Sequence, residues 1–126
     1  MKLNAVAVSS EDLKKSAEFY SIIGFKFPEL KEGDDHLESI VEPGQTKLMI
    51  DSKKLMTELI GEVPRPGNTS SFAIEYDNAN ELDLIVEKLK SSGFVIKKEP
   101  WDAFWGQRYA VVMDPGGYSV DLYSKL

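Results

Sequence analysis

Short stretches of alternating hydrophobic and polar residues recur along the chain, and segments with helical spacing of apolar residues lie between them. Strict alternation predicts half-buried β-strands, whereas apolar residues three and four positions apart predict amphipathic helices. The predicted strands are Leu3–Ser9, Phe25–Phe27, His36–Val41, Lys47–Asp51, Ser71–Tyr76, Phe94–Lys98, Gln107–Met113 and Ser119–Tyr123. The predicted helices are Glu11–Ile23, Ser52–Ile60 and the segment from Asn78 to Gly93. The pattern therefore indicates an α+β protein.

Residue types at the helix ends agree with this assignment. Ser9 or Ser10 is placed to cap the first helix, and Gly24 is placed to end it. Asn78 and Glu81, three residues apart, resemble a capping box at the start of the third helix.

The order of these elements repeats. Each half reads strand, helix, Gly-Phe, strand, strand, an acidic-Pro-Gly turn and a strand, which indicates an internal duplication of a βαβββ module. The shared signatures are Gly24-Phe25 with Gly93-Phe94, and Glu42-Pro43-Gly44 with Asp114-Pro115-Gly116. With the segment 61–68 as a linker rich in Gly and Pro, we expect one domain, 1–126, with modules at about 1–60 and 69–126.

The strands that open and close each half have one apolar face and one small or polar face. The apolar set is Val6, Val8, Leu48, Ile50, Phe72, Ile74, Tyr76, Val120 and Leu122. The opposite set is Ala5, Ala7, Lys47, Met49, Asp51, Ser71, Ala73, Glu75, Ser119, Asp121 and Tyr123. Helices on the outer face would cover the first set. The second set is either a solvated surface or, as we favour, the inner face of a curved, cup-shaped mixed sheet that holds a small molecule.

Composition narrows the class of partner. The 126 residues carry a formal net charge of −6 and no clustered basic face, which argues against nucleic acid as a partner. No apolar run approaches the ~20 residues that cross a membrane. The chain has no cysteine, so disulfides are excluded and a cytoplasmic location is expected.

Nucleophilic catalysis has no support in the sequence. There is no cysteine, and the only histidine, His36, lies in a predicted strand and is interpreted as an ordinary strand residue. Phosphate-binding glycine motifs are also absent.

Candidate binding residues concentrate before and within the last two strands. Trp101, Phe104 and Trp105 offer flat aromatic surface on a predicted loop, either for stacking on a ligand or for packing in the core or at a dimer interface. Arg108 is placed to clamp an anionic group or to pair with an acid. Asp121 and Glu75 are predicted on the polar face, where they would either neutralise a cationic ligand or remain solvated.

Segments Asn4–Phe25, Ser71–Phe94 and Trp105–Tyr123 resemble the vicinal-oxygen-chelate superfamily, which includes glyoxalase I, extradiol dioxygenases and bleomycin-resistance proteins. The first-helix resemblance rests on the run Leu13…Ser16…Phe19-Tyr20…Gly24-Phe25. The C-terminal resemblance rests on Asp114-Pro115-x-Gly117 followed by a Val-acid-Leu strand. The resemblance covers nearly the whole chain and implies paired βαβββ modules that form a cup.

Enzymes of this family hold a divalent metal with His and Glu side chains, one from each of four cup strands. The resemblance places those positions at Ala5, Met49, Ser71 and Asp121, of which only Asp121 is a strong metal ligand. Asp51 would substitute for Met49 only with a shifted register. No metal site and no cofactor are therefore expected.

The missing ligand set resembles the bleomycin-resistance type, which binds a drug rather than transforming it, and Trp105-Gly106-Gln107-Arg108 resembles the same group. The expected function is metal-free binding of a small molecule. By this binding the protein would sequester a drug or a toxic metabolite, and sequestration of a drug would give antibiotic resistance. The expected ligand-binding residues are Trp101, Phe104, Trp105, Arg108, Asp121, Tyr123, Met49, Ser71 and Glu75. No catalytic residue is assigned. A metal-dependent or acid–base lyase or dioxygenase, and a sensor or interaction module, are the alternatives.

The resemblance also implies a homodimer with ligand sites formed partly between subunits. A second argument is that the first strand of each half would lack a partner in its own chain and need cover.

Overall fold

The structure is a computed structural model that describes all 126 residues, and these divide into two compact units, Met1–Arg65 and Pro66–Leu126. The boundary lies inside the segment predicted as a linker. Ten helices and strands, mixed in both units, confirm the α+β class.

Unit 1 contains a three-stranded sheet and two helices. In chain order the elements are β1 (Ala5–Ser10), α1 (Leu13–Ile23), β2 (His36–Glu38), β3 (Lys47–Ser52) and α2 (Lys53–Ile60). The strand order is β1-β3-β2, and β3 runs parallel to β1 and antiparallel to β2. The apolar side of the sheet and α1 share a core whose fully buried members include Phe19, Tyr20, Ile23, Leu48 and Ile50.

The predicted cap of α1, Ser9 or Ser10, was wrong by two or three residues. Asp12 is the N-cap, and its carboxylate accepts from the amide of Lys15 at 3.1 Å. The hydroxyl of Ser10 instead accepts from the Asp12 amide at 3.0 Å, which holds the chain as it enters the helix. Gly24 ends α1 as predicted, with a φ of 132° that favours glycine.

The predicted strand at Phe25–Phe27 does not form. A backbone bond from the Ile40 amide to the Lys26 carbonyl, at 2.7 Å, connects this segment to the chain after β2. Phe25 instead packs edge-on against Tyr20 of α1, 5.9 Å between ring centroids, and Pro28 has no amide to extend a ladder. Unit 1 is therefore βαββ followed by α2, not βαβββ.

Unit 2 has the predicted βαβββ order. Its elements are β4 (Ser70–Tyr76), α3 (Ala79–Ser91), β5 (Val95–Ala103), β6 (Gln107–Met113) and β7 (Ser119–Lys125). The strand order is β4-β7-β6-β5, with β7 parallel to β4 and antiparallel to β6. One face of this sheet packs with α3 around buried Leu82, Leu89, Ala110, Val112, Val120 and Leu122.

The start of α3 is capped as predicted. The side chain of Asn78 accepts from the Glu81 amide at 2.9 Å. The Glu81 carboxylate accepts from the amide of Asp77, one residue before the cap.

Strand β5 is longer than predicted and continues through Pro100 and Trp101 to Ala103. Its pairing with β6 shifts register twice, so an edge strand accommodates a proline that a regular ladder would exclude. Trp101 therefore lies in a strand opposite Tyr109, not in a loop.

The prediction that the first strand of each half lacks a partner in its own chain was wrong. β1 pairs with β3, and β4 pairs with β7, so each of these first strands has a partner in its own chain and only one open side. No helix is both long enough and apolar enough to cross a membrane.

Candidate functional site

The open face of the unit 2 sheet carries a row of aromatic side chains. Trp101 on β5 lies opposite Tyr109 on β6, and Tyr109 lies opposite Tyr123 on β7. Alternation along β7 places Asp121 on the same side. We call Trp101, Trp105, Tyr109, Asp121 and Tyr123 the aromatic face.

The rings of the aromatic face contact one another in sequence. Trp101 and Trp105 meet edge-on with centroids 5.7 Å apart, and each contacts Tyr109, at 5.9 Å and 5.4 Å. Tyr109 and Tyr123 stack with an interplanar angle of 16°. These mutual contacts hold the rings in place, so little side-chain entropy remains to be lost when a flat molecule binds.

Asp121 is fixed at one end of this row by two hydroxyl groups. The hydroxyl of Tyr109 donates to one carboxylate oxygen at 2.5 Å, and the hydroxyl of Ser70 donates to the other. Burial and the bond to Asp121 raise the pKa of Tyr109 to about 12, so the phenol remains a donor at neutral pH. The two hydroxyl groups therefore hold the carboxylate in position.

A cation of the protein already lies on this aromatic surface. The ammonium of Lys98 is 4.8 Å from the centroid of the Trp101 ring, within the range of a cation–π interaction. The half-buried Trp101 ring therefore already has one positive charge of the protein over it, which a cationic ligand would have to replace or avoid.

The structure brings together four of the predicted binding residues, Trp101, Trp105, Asp121 and Tyr123. Glu75 pairs with Tyr123 across β4 and β7, so it lies beside the row, 3.9 Å from the ammonium of Lys125.

Two other predicted residues lie apart from the row. Phe104 is at the tip of the β5–β6 hairpin, 98% exposed, and touches only the edge of Trp105 among the aromatic rings. Ser71 falls where the β4–β7 register shifts, and its neighbour Ser70 is the serine that bonds to Asp121.

Arg108 points to the helical side of the sheet. Its Nε donates to Asp83 of α3 at 2.8 Å, and its Nη1 donates to Asp102 of β5 at 3.0 Å. Two roles were considered for Arg108, and in the structure its side chain forms ion pairs with acidic residues.

Sequence reasoning missed Tyr109 and Ser70. The alternation of β6 divides Gln107, Tyr109 and Val111 from Arg108 and Ala110, but it does not say which set shares a face with Asp121. Ala110 is small and apolar, and it pairs with Leu122, which is buried on the helical side of the sheet. Its neighbour Tyr109 therefore faces the opposite side, and Ala110 was the one residue that could have indicated this.

Met49 belongs to unit 1, where the open sheet face has a different character. His36, Glu38, Lys47 and Asp51 form a connected group there, which we call the polar cluster. The imidazole donates from Nδ1 to Asp51 and from Nε2 to Glu38 at 2.7 Å, and Lys47 reaches Glu38 at 2.8 Å. The interpretation of His36 as an ordinary strand residue missed this group.

In the polar cluster, the acidic and basic side chains stabilise one another's charged forms. The bonds to Asp51 and then to Glu38 raise the pKa of His36, and Lys47 followed by His36 lowers the pKa of Glu38. Ser9 lies beside Asp51 in the β1–β3 register, but its buried hydroxyl has no hydrogen-bond partner. The structure therefore contains a His–Asp pair without a serine joined to it.

The family-implied metal positions do not provide a ligand set. Ala5 has no donor, Met49 and Ser71 offer only a thioether and a hydroxyl, and both oxygens of Asp121 already accept hydroxyl bonds. No group of three or more His, Asp or Glu side chains is arranged to hold a metal ion. The residues present do not fit a divalent metal.

Unit 1 also has a cavity of about 610 Å³ beside the starts of α1 and α2. Lysines and acidic residues alternate around it, and the helix starts are already capped by Asp12 and Ser52. The cavity therefore has neither the free hydrogen-bond donors nor the excess of positive charge that an anion-binding site needs.

Comparison with known proteins agrees with this fold. The family model of the Glyoxalase/Bleomycin resistance protein/Dioxygenase superfamily matches residues 2–122. The chain belongs to this superfamily.

Relatives of the chain within the superfamily are distant. The uncharacterized protein YraH of Bacillus subtilis (strain 168) is 26% identical over 130 residues, with 100% of both chains covered. A glyoxalase-related enzyme from Fulvimarina pelagi has a TM-score of 0.83 at 19% identity, covering 99% of this chain and 88% of that one. Lactoylglutathione lyase from Agrobacterium tumefaciens has a TM-score of 0.68 at 18% identity, covering 96% and 91%. At these identities the solved structures support the fold alone.

Proposed function

We propose that this superfamily member binds an aromatic small molecule that carries a positive charge, on the aromatic face of unit 2, and acts by sequestering it. The molecule would be a drug or a toxic metabolite. It would stack on the rings of Trp101 and Trp105 and direct its cationic group toward Asp121.

The observation that carries this proposal is the pairing of a fixed carboxylate with preordered rings. Asp121 is held by Ser70 and Tyr109 at one end of a row of aromatic side chains. Aromatic surface and a nearby negative charge together favour a cation over an anion, by roughly 1 kcal/mol for each good cation–π contact. The −6 net charge adds a weaker long-range attraction that salt screens.

Binding without chemistry is supported by what surrounds the aromatic face. The carboxylate of Asp121 already accepts two hydrogen bonds from hydroxyl groups, and Tyr109 is a phenol whose pKa is raised rather than lowered. Tyr109 therefore stays protonated at neutral pH and does not act as a base.

A matched pair of probes tests the charge preference. Benzyltrimethylammonium should raise the melting temperature of the protein, whereas benzenesulfonate should not. Asp121→Asn should weaken binding of the cation severalfold, because it removes the charge and keeps the size. Glu87→Gln, on the exposed side of α3, makes the same charge change elsewhere and should leave binding unchanged. Stabilisation by the anion that survives Asp121→Asn would contradict the proposed polarity.

An acid–base lyase is the second candidate, because the hydrogen-bonded Tyr109–Asp121 pair is also a proton-handling arrangement. Elemental analysis of protein purified without chelator checks the conclusion that the residues do not fit a divalent metal. One equivalent of zinc, nickel, iron or manganese, lost in Asp121→Ala, would favour the enzyme. Recovery of a bound ligand unchanged after long incubation would favour sequestration.

A further inference from the structure

The polar cluster of unit 1 holds one carboxylate between two cations. His36 Nε2 binds one oxygen of Glu38 at 2.7 Å, and Lys47 Nζ binds the other at 2.8 Å. A carboxylate with a separate cationic donor on each oxygen is the arrangement by which proteins bind carboxylate ligands. Here the carboxylate belongs to the protein itself.

The charge of the cluster depends on Glu38. His36 and Lys47 contribute two positive charges, and Asp51 and Glu38 contribute two negative ones. When both ring nitrogens of His36 donate to ionised carboxylates, as this geometry allows, the ring is an imidazolium. If Glu38 turned away, Asp51 would still hold the ring, and a net charge of about +1 would face solvent.

We propose that the polar cluster is a second binding site, that it takes a small carboxylate between His36 and Lys47, and that Glu38 is its internal occupant. The ligand would replace the side chain of Glu38 rather than fill an empty cavity. This inference is independent of the aromatic face and of the function proposed for it.

The two carboxylates of the cluster differ in how firmly they are held. The Asp51 side chain is 9% exposed, whereas that of Glu38 is 41% exposed and lies on β2, the edge strand of the sheet. A rotation about the Glu38 side chain breaks no ladder bond of β2. Asp51 is therefore the permanent partner that orients the imidazolium, and Glu38 is the replaceable one.

Small side chains border the polar cluster on the same face. Met49 is flanked in register by Ala7 on one side and Glu38 on the other, and Ala5 is next to Lys47. Ala7 is exposed. The side chains of β1 therefore place little bulk beside Met49, where the carbon atoms of a ligand would lie if its carboxylate took the place of Glu38.

The single histidine makes the test direct. In protein labelled with ¹⁵N-histidine, the Nε2 resonance of His36 reports on this site without overlap. The probe is sodium acetate, titrated against sodium chloride at equal ionic strength. Glu38→Ala should bind acetate with saturation at least tenfold more tightly than the parent protein, and Glu38→Gln should fall between them, because its amide still fills the space without charge.

Two further variants complete the design. Lys47→Met in the Glu38→Ala background should weaken acetate binding about tenfold, because one of the two cations is gone. Glu58→Gln, an exposed residue of α2, should behave as the parent. Melting curves check that each variant is folded. A shift of His36 that is equal for acetate and chloride, or that never saturates in Glu38→Ala, would overturn the proposal, as would binding that is indifferent to Lys47→Met.

Discussion

Asp51 and Asp121 occupy similar positions on the polar faces of the two sheets, but their side-chain partners give them different electrostatic effects. Asp51 pairs with His36, a side chain that can carry a balancing positive charge, whereas Asp121 accepts hydrogen bonds from the uncharged hydroxyls of Ser70 and Tyr109. A count of acidic residues on a polar face therefore overstates the negative potential of unit 1. The distinction depends on neighbours on other strands, distant in sequence, and it decides which face attracts a cation.

His36 should make the stability of the protein dependent on pH. Its pKa in the folded protein is raised by the bonds to Asp51 and Glu38 above the value of about 6.5 expected in the unfolded chain. The stabilisation is therefore complete below about pH 6.5 and is lost as the pH rises through the folded-state pKa. For this half-exposed pair we expect a loss of about 0.2–1 kcal/mol.

Urea unfolding at several pH values, with histidine NMR to locate the pKa, checks this expectation. His36→Asn is the control, because it removes the titrating group and should remove this part of the pH dependence. A folded-state pKa below that of a histidine peptide would contradict the assignment of the bonds to both carboxylates.

At the residue scale, the sequence predicted several residues that lie together on the aromatic face, but it did not predict their hydrogen-bond and ring partners on neighbouring strands. Trp101, Trp105, Asp121 and Tyr123 were expected from residue type and alternation, and they do lie together. Tyr109 and the His36–Asp51 pair were missed, because both depend on strand order and register. Those are set by long-range pairing rather than by local pattern.

At the scale of elements, Arg108 joins three of them. From β6 it bonds Asp83 on α3 and Asp102 on β5. Its planar guanidinium can serve both acids at once, which a lysine cannot do.

Arg108→Met should therefore lower the free energy of unfolding by about 1 kcal/mol, and Arg108→Lys by less. Neither variant should change binding of benzyltrimethylammonium, because Arg108 lies on the other side of the sheet from the aromatic face. Denaturant titration and the thermal-shift assay measure the two properties separately. If an Arg108 variant had normal stability but no longer bound the ligand, Arg108 would have to be a binding residue.

The last turn of unit 2 depends on a glycine for two reasons. Gly117 has a φ of 92°, and a Cβ added there would lie 3.1 Å from Cγ of Pro66. Gly117→Ala should destabilise the protein by roughly 1–2 kcal/mol, since the left-handed conformation alone costs about that much.

Gly67 provides the matched control for this change. It has no positive φ, and a Cβ added there would meet no atom within 4 Å, so Gly67→Ala should stay within about 0.5 kcal/mol of the parent. Denaturant titration of both variants measures the difference. Equal free energies of unfolding for the two variants would show that the turn relaxes without cost.

Element prediction failed where a short apolar run had two ways to be buried. Phe25 and Phe27 suggested a strand, but Phe25 packs on Tyr20 beside the end of α1. Alternation over three residues does not distinguish burial against a helix from burial in a sheet. The longer runs at β4, β6 and β7, and the helices with clear caps, were predicted correctly because several local signals agreed.

At the scale of the molecule, the duplication is visible in sequence but unequal in structure. Both units have a parallel pair that joins their first and last strands, β1 with β3 and β4 with β7. Unit 2 has one more strand, and its open face is aromatic where that of unit 1 is charged. Two similar frameworks therefore carry different chemistry, which supports two binding sites of opposite preference.

The chain should form a homodimer, as its family resemblance implies. The argument from unpaired first strands does not hold, but each sheet still has two open edges, and exposed apolar side chains such as Leu59, Val63, Leu84 and Val95 would gain from cover. Each copy carries a formal charge of −6, so repulsion opposes association and salt should strengthen it. Light scattering should give twice 14.1 kDa, with a larger dimer fraction at physiological than at low salt. A single 14.1 kDa species throughout the micromolar range at both salt concentrations would rule the dimer out.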